Sequence, residues 1–103
     1  MKTKIAECRT RYAGVGVSDK GKQFNTELLE ALELENLIDL AECTVASALA
    51  RRESRGAHAR EDFPKRDDAQ FLKHTFAVKT PAGVSLDYKP VVITKFQPQE
   101  RKY

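Results

Sequence analysis

Phe24-Asn-Thr-Glu-Leu-Leu-Glu-Ala-Leu-Glu-Leu-Glu-Asn-Leu37, continued from Ile38 to Ser54 without a proline or glycine, decides the fold. Asn25 is placed to accept a hydrogen bond from a free N–H of a first helical turn, and Glu27 suits the positive end of the dipole. Phe24 and Leu29 occupy the two positions of a hydrophobic staple. The pattern predicts a helix from about Thr26 to about Ser54. Arg51 and Arg52 lie near its negative end, and Gly56 is available for a left-handed cap.

Within this helix Leu34, Leu37, Ile38, Ala41, Val45, Ala48 and Leu49 recur at i, i+3, i+4 and i+7 and make one broad apolar stripe. Leu28, Leu29 and Leu32 fall nearly opposite at about 100° per residue. Either the helix breaks near Glu33 to Asn36, or its halves bury different faces against different neighbours. A chain of 103 residues struggles to cover both faces, so part of the natural surroundings is expected to lie outside it.

Working outward, Ile5, Cys8 and Tyr12 give residues 1 to 12 a thin stripe with no N-cap, the pattern of a short helix truncated at its start. Gly14 to Gly21 reads as a loop, with Gly14 positioned to cap the first helix. Beyond the long helix, Leu72, Phe76 and Val78 alternate with polar neighbours, Thr80-Pro-Ala-Gly83 turns, and Val84, Leu86 and Tyr88 alternate again, which predicts a β-hairpin. Lys89-Pro90 ends its second strand, Val91 to Phe96 reads as extended, and Pro98 to Tyr103 as a polar tail. The expected fold class is mainly α: a helical bundle of a long helix about 26–54 and a short helix about 1–12, with a small β-hairpin and an extended C-terminal tail. Residues 1–103 form a single domain in this reading.

The charge balance weighs against some classes. Eighteen Lys and Arg stand against fifteen Asp and Glu, for a net charge of +3, yet the signs are interleaved. From 51 to 68, Arg51, Arg52, Arg55, Arg60, Lys65 and Arg66 alternate with Glu53, Glu61, Asp62, Asp67 and Asp68, which favours ion-pair networks over the one-signed field that nucleic acid requires. No nucleic-acid partner is expected. Cys8 and Cys43 are far apart and form no CxxC motif, which suits a reducing, cytoplasmic compartment. No signal-like segment or apolar run of spanning length is present, so membrane attachment is expected only through partners, without direct insertion.

The chain lacks a GxGxxG turn, a P-loop, HExxH, GxSxG and zinc-ribbon spacing, so no catalytic, cofactor-binding or metal-ligating residue is assigned. His58 between Arg55 and Arg60 reads as a hydrogen-bonded loop residue, and His74 as a sheet histidine sharing the face of Leu72 and Phe76. The arginine forks suit carboxylates, but the interleaved acids imply internal pairing. Glu53, Arg55, His58, Arg60 and Asp62 are therefore the candidate docking residues of the loop from Glu53 to Asp68.

Five motifs stand in one order: Phe24 to Leu37, Ala48-Leu-Ala-Arg-Arg-Glu-Ser-Arg-Gly-Ala-His-Ala-Arg-Glu-Asp62, Arg66-Asp-Asp68, His74-Thr75 and Asp87-Tyr-Lys-Pro90. Together they resemble the C-terminal domain of the flavoprotein subunit of succinate dehydrogenase and fumarate reductase, from about Val17 to Tyr103. Arg101-Lys-Tyr103 looks like that family's natural C-terminus, which puts the expected truncation on the N-terminal side. The resemblance implies a parent that binds FAD in an N-terminal Rossmann-type domain and interconverts succinate and fumarate by hydride transfer to the flavin. It also implies catalytic residues outside this segment, and a helical domain that docks on the flavin-binding and capping domains. The implied partners further out are an iron-sulfur subunit and membrane anchor subunits, with the complex peripheral to the inner membrane.

Two other classes remain open on the residues alone. A free-standing module that buries Leu28, Leu29 and Leu32 by self-association would form a defined oligomer. A nucleic-acid binder would show steep salt dependence.

Overall fold

The structure, a computed structural model, describes residues 1–99, so the Arg101-Lys-Tyr103 terminus lies outside the described residues. In order come α1 (Lys2–Tyr12), α2 (Thr26–Ala50), α3 (Asp68–Phe71), β1 (Lys73–Thr80) and β2 (Gly83–Pro90). Helix accounts for about 40% of the chain, so the architecture is a small helical domain with a two-stranded hairpin. The chain divides into two compact units, Met1–Val45 and Ala46–Tyr103.

In the first unit α1 has no side-chain N-cap, as its sequence predicts, and ends at Ala13 in right-handed geometry rather than on a left-handed Gly14. Arg9 bonds Asp39 and, at 2.9 Å, Glu42 on α2, and the Tyr12 hydroxyl donates to Ala31 O at 3.1 Å. Ile38 is the buried apolar residue here, at 7% exposure. Beside it Ile5, Cys8, Tyr12, Val15, Leu34 and Leu37 border an apolar hollow of about 450 Å³.

The α2 helix is unbroken from Thr26 to Ala50, so the reversal of its apolar face is not a break. Asn25 caps it as expected, accepting the Leu28 N–H at 2.9 Å. The hydrophobic staple does not form: Phe24 is 99% exposed. The helix also stops four residues earlier than its composition suggests, because Arg51 leaves the helical path to bind the hairpin.

In the second unit Asp67 caps α3, a single turn absent from the sequence reading, by accepting the Gln70 N–H at 3.0 Å. This turn carries Phe71, 8% exposed, into the core. The strands pair antiparallel from Lys73↔Pro90 to Thr80↔Gly83, leaving Pro81 and Ala82 as the turn. The hairpin is therefore where the alternation put it, and β2 ends at Pro90. Its faces are reversed from expectation. Phe76 and Val78 point outward at 49% and 56% exposure with His74 exposed beside them, while Thr75 and Ala77 are the half-buried set. Residues 91 to 99 join no strand. Among the described residues, no helix is long and apolar enough to cross a membrane.

Candidate functional site

Between Ala50 and Asp68 the chain is irregular, yet almost every backbone turn of it is tied by a side chain. Gly56 adopts φ +58° in a tight turn where Arg55 and His58 exchange backbone hydrogen bonds at 2.8 and 3.0 Å. That positive φ is the requirement of a primed hairpin turn, so Gly56 serves this turn rather than the helix end. Ser54 fastens the loop to itself. Its Oγ accepts the Arg60 N–H at 2.8 Å and donates to Phe63 O at 2.8 Å, while its own N–H donates to Lys65 O at 3.1 Å.

At the centre stands Glu53, with no exposed surface. One carboxylate oxygen accepts from Arg51 at 2.5 Å and Arg55 at 2.8 Å, and the other from Arg55 at 3.0 Å and the Asp67 N–H at 2.8 Å. Burial, the largest single influence, pushes this carboxyl up. The bonds from Arg55, the Asp67 N–H and Arg51, with the Arg55 charge, together outweigh it and hold the pKa at about 2, against an ordinary 4.5. A buried anion is tolerable only when paired and fully hydrogen-bonded, and this one is both.

Arg51 carries the tie onward. Besides Glu53 it donates to Phe71 O at 2.8 Å, Lys73 O at 2.6 Å and the Thr75 hydroxyl at 3.1 Å, so a single guanidinium joins the end of α2 to α3 and β1. Its carbon Cζ also sits 5.6 Å from the Phe71 ring centroid, and Lys73 Nζ lies 5.4 Å from that ring and 4.1 Å from that of Tyr88. These are cation–π distances.

The five sequence candidates are thus brought together, with different orientations. Glu53 faces inward and organises the loop from within. Arg55 is held by Glu53 and, at 2.5 Å, by Asp68, and its pKa is raised, first by the Glu53 bond. His58 reaches back to Arg51 O at 3.3 Å. Arg60 caps α2, donating to Leu49 O at 2.8 Å and Arg51 O at 3.2 Å, while pairing with Asp62 at 2.6 Å. That pairing raises the Arg60 pKa and lowers that of Asp62. Asp62, at 59% side-chain exposure, is the most outward of the five.

Sequence reading missed the inward role of Glu53 and the reach of Arg51. A usable signal was the Arg51-x-Glu53-x-Arg55 spacing, because residues two apart share a side wherever the chain is extended rather than helical. Among the described residues, no group of three His, Cys, Asp or Glu is arranged to hold a metal ion. What this arrangement does chemically is fix charges in place: the forks of Arg51, Arg55 and Arg60 meet carboxylates of the loop and carbonyls of the loop and of its flanking elements.

Comparison with known proteins places this geometry. Residues 1–103 match the family described as fumarate reductase flavoprotein C-term. The succinate dehydrogenase flavoprotein subunit of Rickettsia conorii is 54% identical over 91 residues, which are 87% of this chain and 15% of that protein. The fumarate reductase flavoprotein subunit of Haemophilus influenzae is 46% identical over 101 residues, 97% of this chain and 17% of that protein. A solved structure of E. coli quinol fumarate reductase with a substitution in FrdA superposes with a TM-score of 0.86 at 42% identity, covering 96% of this chain and 17% of that one. The chain spans 15% to 17% of the length of these relatives.

Proposed function

Because this chain belongs to the fumarate reductase flavoprotein C-terminal family, we propose that it is the structural, non-catalytic C-terminal domain of an FAD-dependent flavoprotein subunit that interconverts succinate and fumarate. Residues 1–103 act as one domain in this reading, their helices completing a helical bundle within the larger subunit. The domain docks on the flavin-binding and capping domains through Arg55, His58, Arg60 and Asp62, with Glu53 as the buried anchor that keeps them in register. FAD, the iron-sulfur subunit and the membrane anchor subunits belong to the parent complex, which is cytoplasmic and peripheral to the inner membrane.

The observation that carries the proposal is the internal pairing of four of the loop's arginines. Arg51, Arg55, Arg60 and Arg66 each pair with a carboxylate inside the loop, which suits rigid presentation of a surface better than capture of a free dicarboxylate. The test is succinate-dependent dye reduction and the flavin absorbance band, for the chain alone and with the separately expressed remainder of a homologous flavoprotein. The expected result is a colourless, inert chain that restores flavin retention or turnover to the remainder. Flavin binding or succinate oxidation by the chain alone would overturn it. The exposure of Leu28, Leu29 and Leu32 favours a second reading, a self-associating module. Under that reading the remainder is unaffected and the chain forms a stable, defined oligomer.

A further inference from the structure

The segment 17 to 25 has no regular structure, yet it is built as firmly as an element. Glu27 reaches back from the first turn of α2 to accept the N–H groups of Ser18 at 2.7 Å and Asp19 at 2.9 Å. Asn25 Nδ2 donates to Asp19 O and Gly21 O, each at 3.0 Å, and Asp19 Oδ1 accepts the Gly21 N–H at 2.7 Å. This scaffold holds Phe24 at φ +49°, a left-handed conformation that an aromatic residue rarely adopts, and leaves its ring 99% exposed. Backbone strain of this kind persists only where the surroundings over-determine it, and it concentrates at working sites. Leu28, Leu29 and Leu32 follow on α2 at 45%, 55% and 56% exposure, within roughly a third of the helix circumference at about 100° per residue.

We infer that Phe24 is the anchor of a docking ridge completed by Leu28, Leu29 and Leu32, and that the ridge seats in an apolar pocket of the same flavoprotein polypeptide outside this chain. The inference rests on the docking-domain reading and adds a surface to it. Three observations select that occupant. The relatives carry several times as much polypeptide joined to the matching segment, and tethering raises the effective concentration of such a neighbour to about the millimolar range. A large exposed aromatic beside three leucines has the make-up of a permanently covered interface and not of a transient one. Glu33, four residues on from Leu29, and Glu35, three on from Leu32, stand exposed along the two edges of this leucine face, so a two-fold contact with a second copy would set like charges against each other, whereas a pocket with a basic rim would not.

The test uses a full-length hybrid in which this chain replaces the matching segment of the Rickettsia conorii subunit. p-Benzoylphenylalanine replaces Phe24 in one preparation and Phe63, in the charged loop, in another; each is irradiated and its cross-linked peptides sequenced. Capture by position 24 of peptides from the remainder of the same polypeptide is the expected result. Silence at 24 with capture at 63 would sink the ridge while leaving the docking domain intact, and silence at both would remove both. Cross-linked dimers through position 24 would replace the intrachain pocket with self-association. In the same hybrid, Phe24→Ala should speed proteolytic cleavage within residues 17 to 25 by about tenfold or more, and Phe24→Leu should recover most of the protection. Equal cleavage of Phe24→Ala and the parent hybrid would also overturn the proposal.

Discussion

Glu53 shows how one side chain replaces a hydrophobic core in a unit this small. Its folded pKa of about 2 lies below its ordinary 4.5, so the unfolded chain binds the extra proton as the medium is acidified. The resulting stabilisation is complete above pH 4.5 and disappears as the pH falls toward 2; a difference of this size corresponds to roughly 3 kcal/mol. Glu53→Gln, which leaves Arg51 without a carboxylate partner and Arg55 with Asp68 alone, should destabilise the chain by about 3 kcal/mol at pH 7. The same variant should flatten the acid limb of an unfolding-free-energy profile taken between pH 6 and pH 2. An unchanged limb would reassign the acid sensitivity to other carboxylates. Phe24 makes the opposite case, a residue whose backbone is unfavourable in isolation. Phe24→Gly should raise the stability of the isolated chain by about 1 kcal/mol in urea unfolding, because glycine adopts positive φ without cost from a Cβ.

Among the elements, α2 illustrates how far periodicity carries and where it stops. Asn25 and the apolar recurrence locate its start to the residue, while its end depends on Arg60, ten positions beyond Ala50 in sequence. Arg60→Ala removes the donor to Leu49 O and Arg51 O, so amides of the last turn, from Ser47 to Arg51, should exchange with solvent roughly tenfold faster. Amides near Thr26 serve as the internal control and should not change. The hairpin was legible from alternation and from the Thr80 to Gly83 turn. Its inner face was not, because Phe76 and Val78 face outward and the strand is held instead by Arg51 bonds to Lys73 O and Thr75. Alternation identifies two faces and leaves open which of them a neighbour covers. The α3 turn was missed because four residues hold too little pattern to register, although Asp67 is a favourable cap.

For the whole molecule, the balance of exposed and buried apolar surface is the dominant fact. Only Ile38 and Phe71 are buried apolar residues among the described ones, whereas Leu28, Leu29, Leu32, Leu37, Leu40 and Leu49 are exposed. Surface of that kind drives association when its partner is missing. The isolated chain should therefore self-associate weakly and concentration-dependently in sedimentation velocity, and Leu28→Ser with Leu32→Ser should shift it toward monomer without lowering its helix content. A tight stoichiometric dimer that survives both substitutions would contradict this account. The loop from Glu53 to Asp68 was legible as a concentration of paired charge. The role of each member was not, since pairing by sign leaves open whether Glu53 takes Arg51, Arg55 or both.

By itself the sequence determined the long helix and its cap, the hairpin and its turn, the internally paired loop and the family, because each is written in local spacing or in motif order. Tertiary structure decided that Glu53 is enclosed, that Arg60 ends α2, that Arg51 binds the hairpin, and that Phe24 stands free rather than stapled to Leu29. Those outcomes depend on which groups meet across the chain, and local periodicity carries no term for that.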